Sequence, residues 1–159
     1  MYDVTFYFAH HYLEKGDRTI DQMVQAARSG KQNIAEGAAA GNTSKETEIK
    51  LTNVAKASLQ ELLVDYEDFL RVRGLEQWQP DDARLAQTKR ACAAHNDSEY
   101  YRKAMPERSA ETIANIAITL IHQTDWLLNK LIEKLEIQFV ENGGVKEQMT
   151  KAGKEYRGY

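Results

Sequence analysis

The chain has 159 residues, of which 42% are hydrophobic and 28% charged, and its formal net charge is −3. These values fit one globular domain and exclude an intrinsically disordered chain, while the single cysteine, Cys92, excludes an internal disulfide. No run approaches the ~18 apolar residues of a membrane span, so the sequence predicts a cytoplasmic protein without a membrane partner.

Two helices are predicted before residue 42. The first runs from about Tyr2 to Glu14 and ends at Gly16, where glycine suits the left-handed turn that terminates many helices. The second begins at Thr19, which forms a capping box with Gln22, and it ends at Gly41. Its apolar stripe has three- and four-residue spacing and comprises Ile20, Met23, Val24, Ala27, Ile34 and Ala38.

The middle of the second helix departs from this regular pattern. Extending the stripe places Lys31 in the apolar phase, and we expect an irregularity around Gly30 rather than a buried lysine. One edge of the helical wheel carries mostly small residues, namely Ala26, Gly30, Asn33, Gly37 and Gly41. Because each interior glycine costs about 1 kcal/mol relative to alanine, this edge predicts close packing against another helix, within or between subunits. A ligand or nucleic-acid contact is the alternative.

A third helix gives the clearest periodic signal of the chain. It begins at Thr43, with Glu46 three residues on, and runs to Gly74. Its face comprises Leu51, Val54, Ala55, Leu59, Leu62, Leu63, Tyr66, Phe69 and Leu70. Burial of one such leucine contributes about 1.5–3 kcal/mol, so this helix is expected to dominate the core.

Two further helices follow a linker from Leu75 to Gln79. The fourth has Pro80 in its first turn, ends near His95 and carries a weak apolar face of Leu85, Ala86, Cys92 and Ala93. The fifth runs from about Ser109 to Glu141 and ends at Gly143-Gly144. Its face comprises Ile113, Ile116, Ala117, Leu120, Leu127, Leu128, Leu131, Leu135 and Phe139, interrupted by Gln123 and Thr124.

The middle of the second helix also carries a family resemblance. Its motif residues are Ser29, Gly30, Asn33, Ile34, Ala35, Glu36 and Gly37, and Thr43-Ser44-Lys45-Glu46 follows after a short turn. This arrangement resembles the four-helix-bundle proteins encoded in intervening sequences of bacterial large-subunit ribosomal RNA genes. The segment Glu141-Asn142-Gly143-Gly144-Val145 is similar to the subgroup that has an added C-terminal suffix domain.

The resemblance implies four antiparallel helices that assemble into a ring-like homopentamer, with no assigned activity in most members. A related protein serves diversity-generating retroelements, where a basic pentamer binds nucleic acid and partners a reverse transcriptase. This chain departs from the family in being acidic, in having Lys31 where many members have proline, and in starting its first helix later. Repetition around a ring could still gather a basic band from Arg28, Lys31, Lys45, Lys50 and Lys56.

No catalytic, cofactor-binding or metal site is predicted. His95 with Glu99, and His10 with Glu14, have i,i+4 spacing, but each is an isolated pair at a helix end. Cys92 and His95 lie on the same helix face, but no third group is evident that could orient them for nucleophilic catalysis. We therefore expect Cys92 to be a small buried apolar residue. A solvated face is expected for the acidic cluster of Glu61, Asp65, Glu67 and Asp68.

These observations predict an all-α protein. We expect an antiparallel up-down four-helix bundle over residues 1–142, with a short extra helix, and a polar tail of weak helical character over 143–159. The expected function is that of a non-enzymatic homo-oligomeric scaffold, pentameric by resemblance, that binds itself and an RNA, DNA or protein partner without a cofactor. The alternative is a nucleic-acid-binding accessory factor that uses a basic surface of the ring.

Overall fold

The computed structural model describes residues 1–142 and 145–157, except for the side chains of 145–148. Regular structure in these ranges is helical throughout, which confirms the all-α class. The elements are α1 (Tyr2–Tyr12), α2 (Arg18–Ala40), α3 (Lys45–Val72), α4 (Ala83–Ala94), α5 (Ser98–Ala104), a 3₁₀ turn (Met105–Glu107), α6 (Ala110–Asn142) and α7 (Val145–Tyr156). The helix end predicted at Gly143-Gly144 lies outside the described residues.

The caps of α2 and α3 differ from the prediction by one or two residues. Asp17, not Thr19, caps α2, and its carboxylate accepts a hydrogen bond from the Thr19 N–H at 2.8 Å. Ser44, not Thr43, caps α3 and accepts from the Thr47 N–H at 3.1 Å. Both predicted capping boxes are wrong, because a residue of a stronger N-cap type, aspartate or serine instead of threonine, lies within two residues of each predicted cap.

Glycine and proline mark the turns between helices. Gly16 and Gly74 have φ values of +94° and +65°, which glycine adopts without the steric penalty of a Cβ atom. Pro80, however, precedes α4 instead of lying in its first turn, because Asp82 caps that helix by accepting from the Arg84 N–H at 2.9 Å. Its predicted start is therefore wrong by about one turn.

The helix α5 was not predicted. Asp97 caps it by accepting a hydrogen bond from the Tyr100 N–H at 2.8 Å, and Tyr101 is buried against the core. Polar and charged residues dominate the short segment, so it carries no apolar period of its own. Likewise, α7 is a regular helix where the sequence indicated weak helical character.

The core forms where α2 and α6 pack on α3. Ser29 of α2 contacts Ser58 of α3, whereas the later Gly37 lies beside the earlier Leu51, so the two helices are antiparallel. At the end of α3, the ring of Phe8 from α1 packs on the rings of Tyr66 and Phe69, with centroids 5.0 and 4.6 Å apart. These ring contacts place α1 beside the last turns of α3.

Most of the predicted apolar face of α3 is buried, but some residues assigned to the apolar faces of α2, α3 and α6 are exposed. Buried as predicted are Ala55, Leu59, Leu62, Leu63, Tyr66, Phe69 and Leu70. In contrast, Val54 is 42% exposed, Leu127 is 60% exposed and Ala38 is exposed. Periodicity gives the direction of the buried face, whereas its width depends on how many neighbouring helices cover it.

The helix α2 runs through Gly30 without a break, and Lys31 is not buried, as expected. Lys31 is exposed, and its ammonium lies 5.4 Å from the centroid of the Tyr2 ring. An interaction between the cation and the aromatic face explains how lysine fits at this position. Across the described ranges, none of the helices combines the length and hydropathy of a membrane crossing.

Candidate functional site

The glycine edge of α2, comprising Ala26, Gly30, Asn33, Gly37 and Gly41, packs against α3 of the same chain. A Cβ atom built on Gly30 would lie 3.1 Å from Leu59 Cδ2, and one on Gly37 would lie 3.4 Å from Leu51 Cβ. On Gly41 it would lie 1.9 Å from the carboxylate of Glu48. Within this chain, the small side chains therefore allow two helix backbones to approach each other.

Polar residues of the motif contribute to this packing to different degrees. The hydroxyls of Ser29 and Ser58 are 2.8 Å apart and link α2 to α3. Asn33 instead donates within α2, to the carbonyl oxygen of Ser29 at 2.9 Å. Ile34 is half-buried, whereas Ala35 and Glu36 are exposed. Among these motif side chains, Ser29 is the one seen to bond across the contact of α2 with α3 within the described residues.

The five basic residues expected to form a band differ in environment within one subunit. Arg28 and Lys31 are exposed on α2, and Lys50 is exposed on α3. The ammonium of Lys45 lies 3.6 Å from a Glu48 carboxylate oxygen, and Lys56 donates to the Asn129 side chain of α6. Two of the five charges are thus already engaged by groups of the same chain.

Structural roles account for the candidate metal and nucleophile residues. His95 caps the end of α4 and Glu99 lies on α5, so the two do not share a helix, and the His95 ring stacks on Tyr100 with centroids 3.7 Å apart. His10 Nδ1 donates to the Phe6 carbonyl oxygen at 2.8 Å. In the part of the chain that the structure describes, no group of three or more His, Cys, Asp or Glu residues is placed to hold a metal ion.

The acidic cluster of α3 lies on the surface, although its members differ in environment. Glu61 and Asp68 are exposed, and Asp68 pairs with Arg71 at 3.0 Å. Partial burial, followed by the neighbouring charges of Asp68 and Glu61, raises the pKa of Asp65. Glu67 accepts a hydrogen bond from Gln77 at 3.0 Å. The cluster is therefore half-solvated and partly paired.

A cavity of about 800 Å³ lies between α4, α6 and the linker that joins α3 to α4. Its walls are largely apolar, with Trp78 and Pro80 from the linker and Ile118, Trp126 and Leu127 from α6. The sequence interpretation did not single out this site. The one available signal was that the chain has two tryptophans, and both line the cavity.

Asn115 of α6 fixes the position of Trp78. Its side-chain oxygen accepts a hydrogen bond from the Trp78 backbone N–H at 2.8 Å, and its amide donates to the carbonyl oxygens of Glu76 and Glu111, each at 2.9 Å. On the ring itself, the Arg84 guanidinium lies 5.0 Å from the Trp78 centroid. The indole is 8% exposed, and its Nε1–H is buried without a hydrogen-bond acceptor among the described residues.

Few of the cavity residues are ionisable. Lys89 and His122 line it and are exposed, and no aspartate or glutamate is among the lining residues. Cys92 also lines the cavity, and burial raises the pKa of its thiol, partly offset by the Tyr101 hydroxyl. The cysteine therefore stays protonated at neutral pH and is a weak nucleophile.

No protein-family model matches this chain, and neither the curated proteins nor the solved structures include one that matches it.

Proposed function

We propose that this protein is a non-enzymatic homo-oligomeric scaffold built on an antiparallel four-helix bundle. In this proposal α1, α2, α3 and α6 are the four bundle helices, and α4 and α5 are additions between the third and fourth. The pairwise contacts of α2 with α3, α3 with α6, and α1 with both α2 and α6 support this order. The motif from Ser29 to Gly37 then stabilises the subunit, because its two glycines pack against α3 of the same chain.

The observation that carries the proposal is an exposed apolar face on α6, which we call the α6 face. It consists of Trp126, Ile137 and Val140, which are 60%, 58% and 82% exposed. A residue advances about 100° around a helix, so these three lie within about 60° of one another. They face away from the buried Leu128, Ile132 and Leu135.

Such a face is favourable for protein association. Exposed large apolar residues that share one side of a helix mark interaction surfaces more often than scattered ones do. Between them, Lys130 and Glu133 form an ion pair of 3.4 Å, so the face has apolar residues at both ends and an exposed but nearly neutral pair of charges at its centre. A second copy of the chain offers the same surface, and the family resemblance suggests five copies.

Light scattering coupled to size exclusion tests the proposal. Five copies of an 18.1 kDa chain have a mass of about 90 kDa, and the double variant Ile137→Glu/Val140→Glu should reduce it toward one subunit. The matched control is Val64→Glu/Val72→Glu, which places the same charges at two exposed valines of α3. Circular dichroism should show that both variants remain helical.

A monodisperse wild-type monomer of 18.1 kDa would refute the scaffold. A stable mass other than five subunits would retain self-assembly and refute the pentamer.

A further inference from the structure

We propose that the apolar side of α7 docks on the α6 face of a second copy of this chain. This apolar side, which we call the α7 stripe, consists of Met149, Ala152 and Tyr156. The three residues follow one another at three- and four-residue spacing and therefore lie within about 60° of one another on the helix. The inference rests on the proposed scaffold function and deepens it, because it names the segment that covers the α6 face.

The α7 stripe is not covered by the rest of its own chain. Met149 is 69% exposed, Tyr156 is 94% exposed and Ala152 is also exposed. Lys151 and Lys154 lie on the other side of the helix, so α7 has one apolar and one basic side. A helix of 12 residues is marginal in isolation and is stabilised when its apolar side packs on another element.

The two surfaces carry charges of opposite sign. Residues 149–157 contain three basic side chains and one acidic side chain, which gives a net charge of +2. The part of α6 that carries the face, residues 125–142, contains four acidic and two basic side chains, which gives a net charge of −2. Two α6 faces brought together would therefore repel each other, whereas α7 and an α6 face attract, most strongly at low ionic strength.

The lengths of the helices favour the α7 of another copy over the α7 of the same chain. The α6 face extends about 21 Å from Trp126 to Val140, and the 12 residues of α7 extend about 18 Å. If α7 folded back on its own α6, it would end about 18 Å from the level of Asn142, whereas Trp126 lies about 24 Å from Asn142 along the helix. Trp126, which is 60% exposed, would then stay uncovered.

A contact of this kind joins two different surfaces, so each copy provides one α7 and receives one. Such contacts close into rings or continue as filaments, whereas pairing of two α6 faces ends at a dimer. The inference therefore predicts an assembly larger than a dimer.

Cross-linking between copies tests which surfaces meet. Copies that carry Met149→Cys are co-expressed with copies that carry Ile137→Cys, and the assembly is treated with a short bismaleimide. We expect a linked pair of about 36 kDa in the mixture and none from either variant alone, because each new thiol then faces an unmodified surface. The native Cys92 is 7% exposed, so the unmodified protein should give no linked pair. Val64→Cys in place of Ile137→Cys is the control, since Val64 is an exposed residue of α3.

The variant Met149→Gln/Tyr156→Gln tests whether the α7 stripe stabilises the assembly. It removes two large apolar side chains without changing the charge, and glutamine is compatible with a helix. We expect the concentration at which the assembly dissociates to rise about tenfold or more, measured by light scattering on dilution. The matched control Val64→Gln/Val72→Gln replaces two exposed valines of α3 and should leave that concentration unchanged.

Three results would overturn the inference. A linked pair formed by Ile137→Cys alone would assign the α6 face to a second α6 face. With Met149→Cys and Ile137→Cys in one chain, a cross-link that leaves the chain at its single-subunit mass would assign the face to its own α7. An assembly that neither cross-links in the mixture nor responds to Met149→Gln/Tyr156→Gln would refute the contact and leave the scaffold intact. A monomeric wild-type protein, in contrast, refutes the scaffold itself, so the two failures are distinguishable.

Discussion

At the scale of single residues, the glycines of α2 differ in what they contribute. A Cβ atom on Gly37 would make ordinary contacts of 3.4–3.6 Å, whereas one on Gly30 would press on Leu59 Cδ2 at 3.1 Å. Alanine is favoured over glycine in a helix by about 1 kcal/mol. The space around each glycine therefore decides whether replacing it with alanine stabilises the protein.

We expect Gly37→Ala to raise the free energy of unfolding by about 0.5–1 kcal/mol, because it gains helix propensity without a clash. Gly30→Ala should gain less or lose stability, since the Leu59 side chain must move. Urea denaturation followed by circular dichroism measures both. A Gly37→Ala protein less stable than Gly30→Ala would contradict the packing distances.

Two buried tyrosines couple stability to alkaline pH. Burial raises the pKa of Tyr66 and of Tyr101 above the ordinary value of 10.0. The unfolded chain ionises these phenols near pH 10, while the folded chain keeps them neutral. Their contribution to the free energy of unfolding is therefore fully present below pH 10 and is lost as the pH rises above 10.

Tyr66→Phe should reduce the slope of the unfolding free energy against pH by up to about 1.4 kcal/mol per pH unit, which is the effect of one proton. The variant also removes the hydrogen bond that Tyr66 donates to Thr5 at 2.9 Å, so it is less stable at neutral pH. Unfolding free energies between pH 9 and 11 measure the slope, with Tyr156→Phe as the control because that ring is 94% exposed. An unchanged slope for Tyr66→Phe would contradict the raised pKa.

At the scale of helices and linkers, Asn115 is the point at which the segment between α3 and α4 attaches to α6. Asn115→Ala removes three hydrogen bonds and leaves the Trp78 backbone N–H unpaired. We expect a loss of about 2–4 kcal/mol and a red shift of Trp78 emission in a Trp126→Phe background. Asn53→Ala is the matched control, because the exposed Asn53 bonds only within α3 among its described contacts. Equal losses in the two variants would contradict this anchoring role.

Local patterns explain which elements could be predicted. The helix α3 keeps one apolar phase from Leu51 to Leu70, so its existence and most of its buried face follow from the sequence. The helix α5 has no such phase, and its position depends on Tyr101 reaching the core. The N-cap of α2 was predicted from the capping-box spacing of Thr19 and Gln22, whereas the actual cap is Asp17, whose residue type is the stronger N-cap.

The candidate sites show the same division. The glycine edge is visible in the sequence because all its members belong to one helix. The cavity is not, since Trp78 and Asn115 are 37 residues apart and come together only after α6 packs on α3. Nothing in the order of the residues indicates that an asparagine in an apolar helix will hold a linker in place.

At the scale of the whole molecule, assembly determines whether nucleic acid is a plausible partner. Five copies of a chain with a net charge of −3 carry −15, so association with a polyanion is opposed at long range. Only a local band could overcome this. Within one subunit, Arg28, Lys31 and Lys50 are the exposed members of the predicted set.

We therefore expect labelled RNA to bind the proposed assembly at most weakly at low salt and not at all at physiological salt. Phosphate contacts by the three basic residues of one subunit would give a shallow dependence on salt, because each contact releases about one counter-ion, whereas the same contacts repeated around five subunits would give a steep one. The comparison is with Lys31→Glu/Lys50→Glu and with Ile137→Glu/Val140→Glu, the variant designed to dissociate the proposed assembly. Binding that is tight, depends steeply on salt and requires both assembly and these lysines would support the accessory-factor function. Such binding would mean that the symmetry of the ring brings basic residues of several subunits onto one surface.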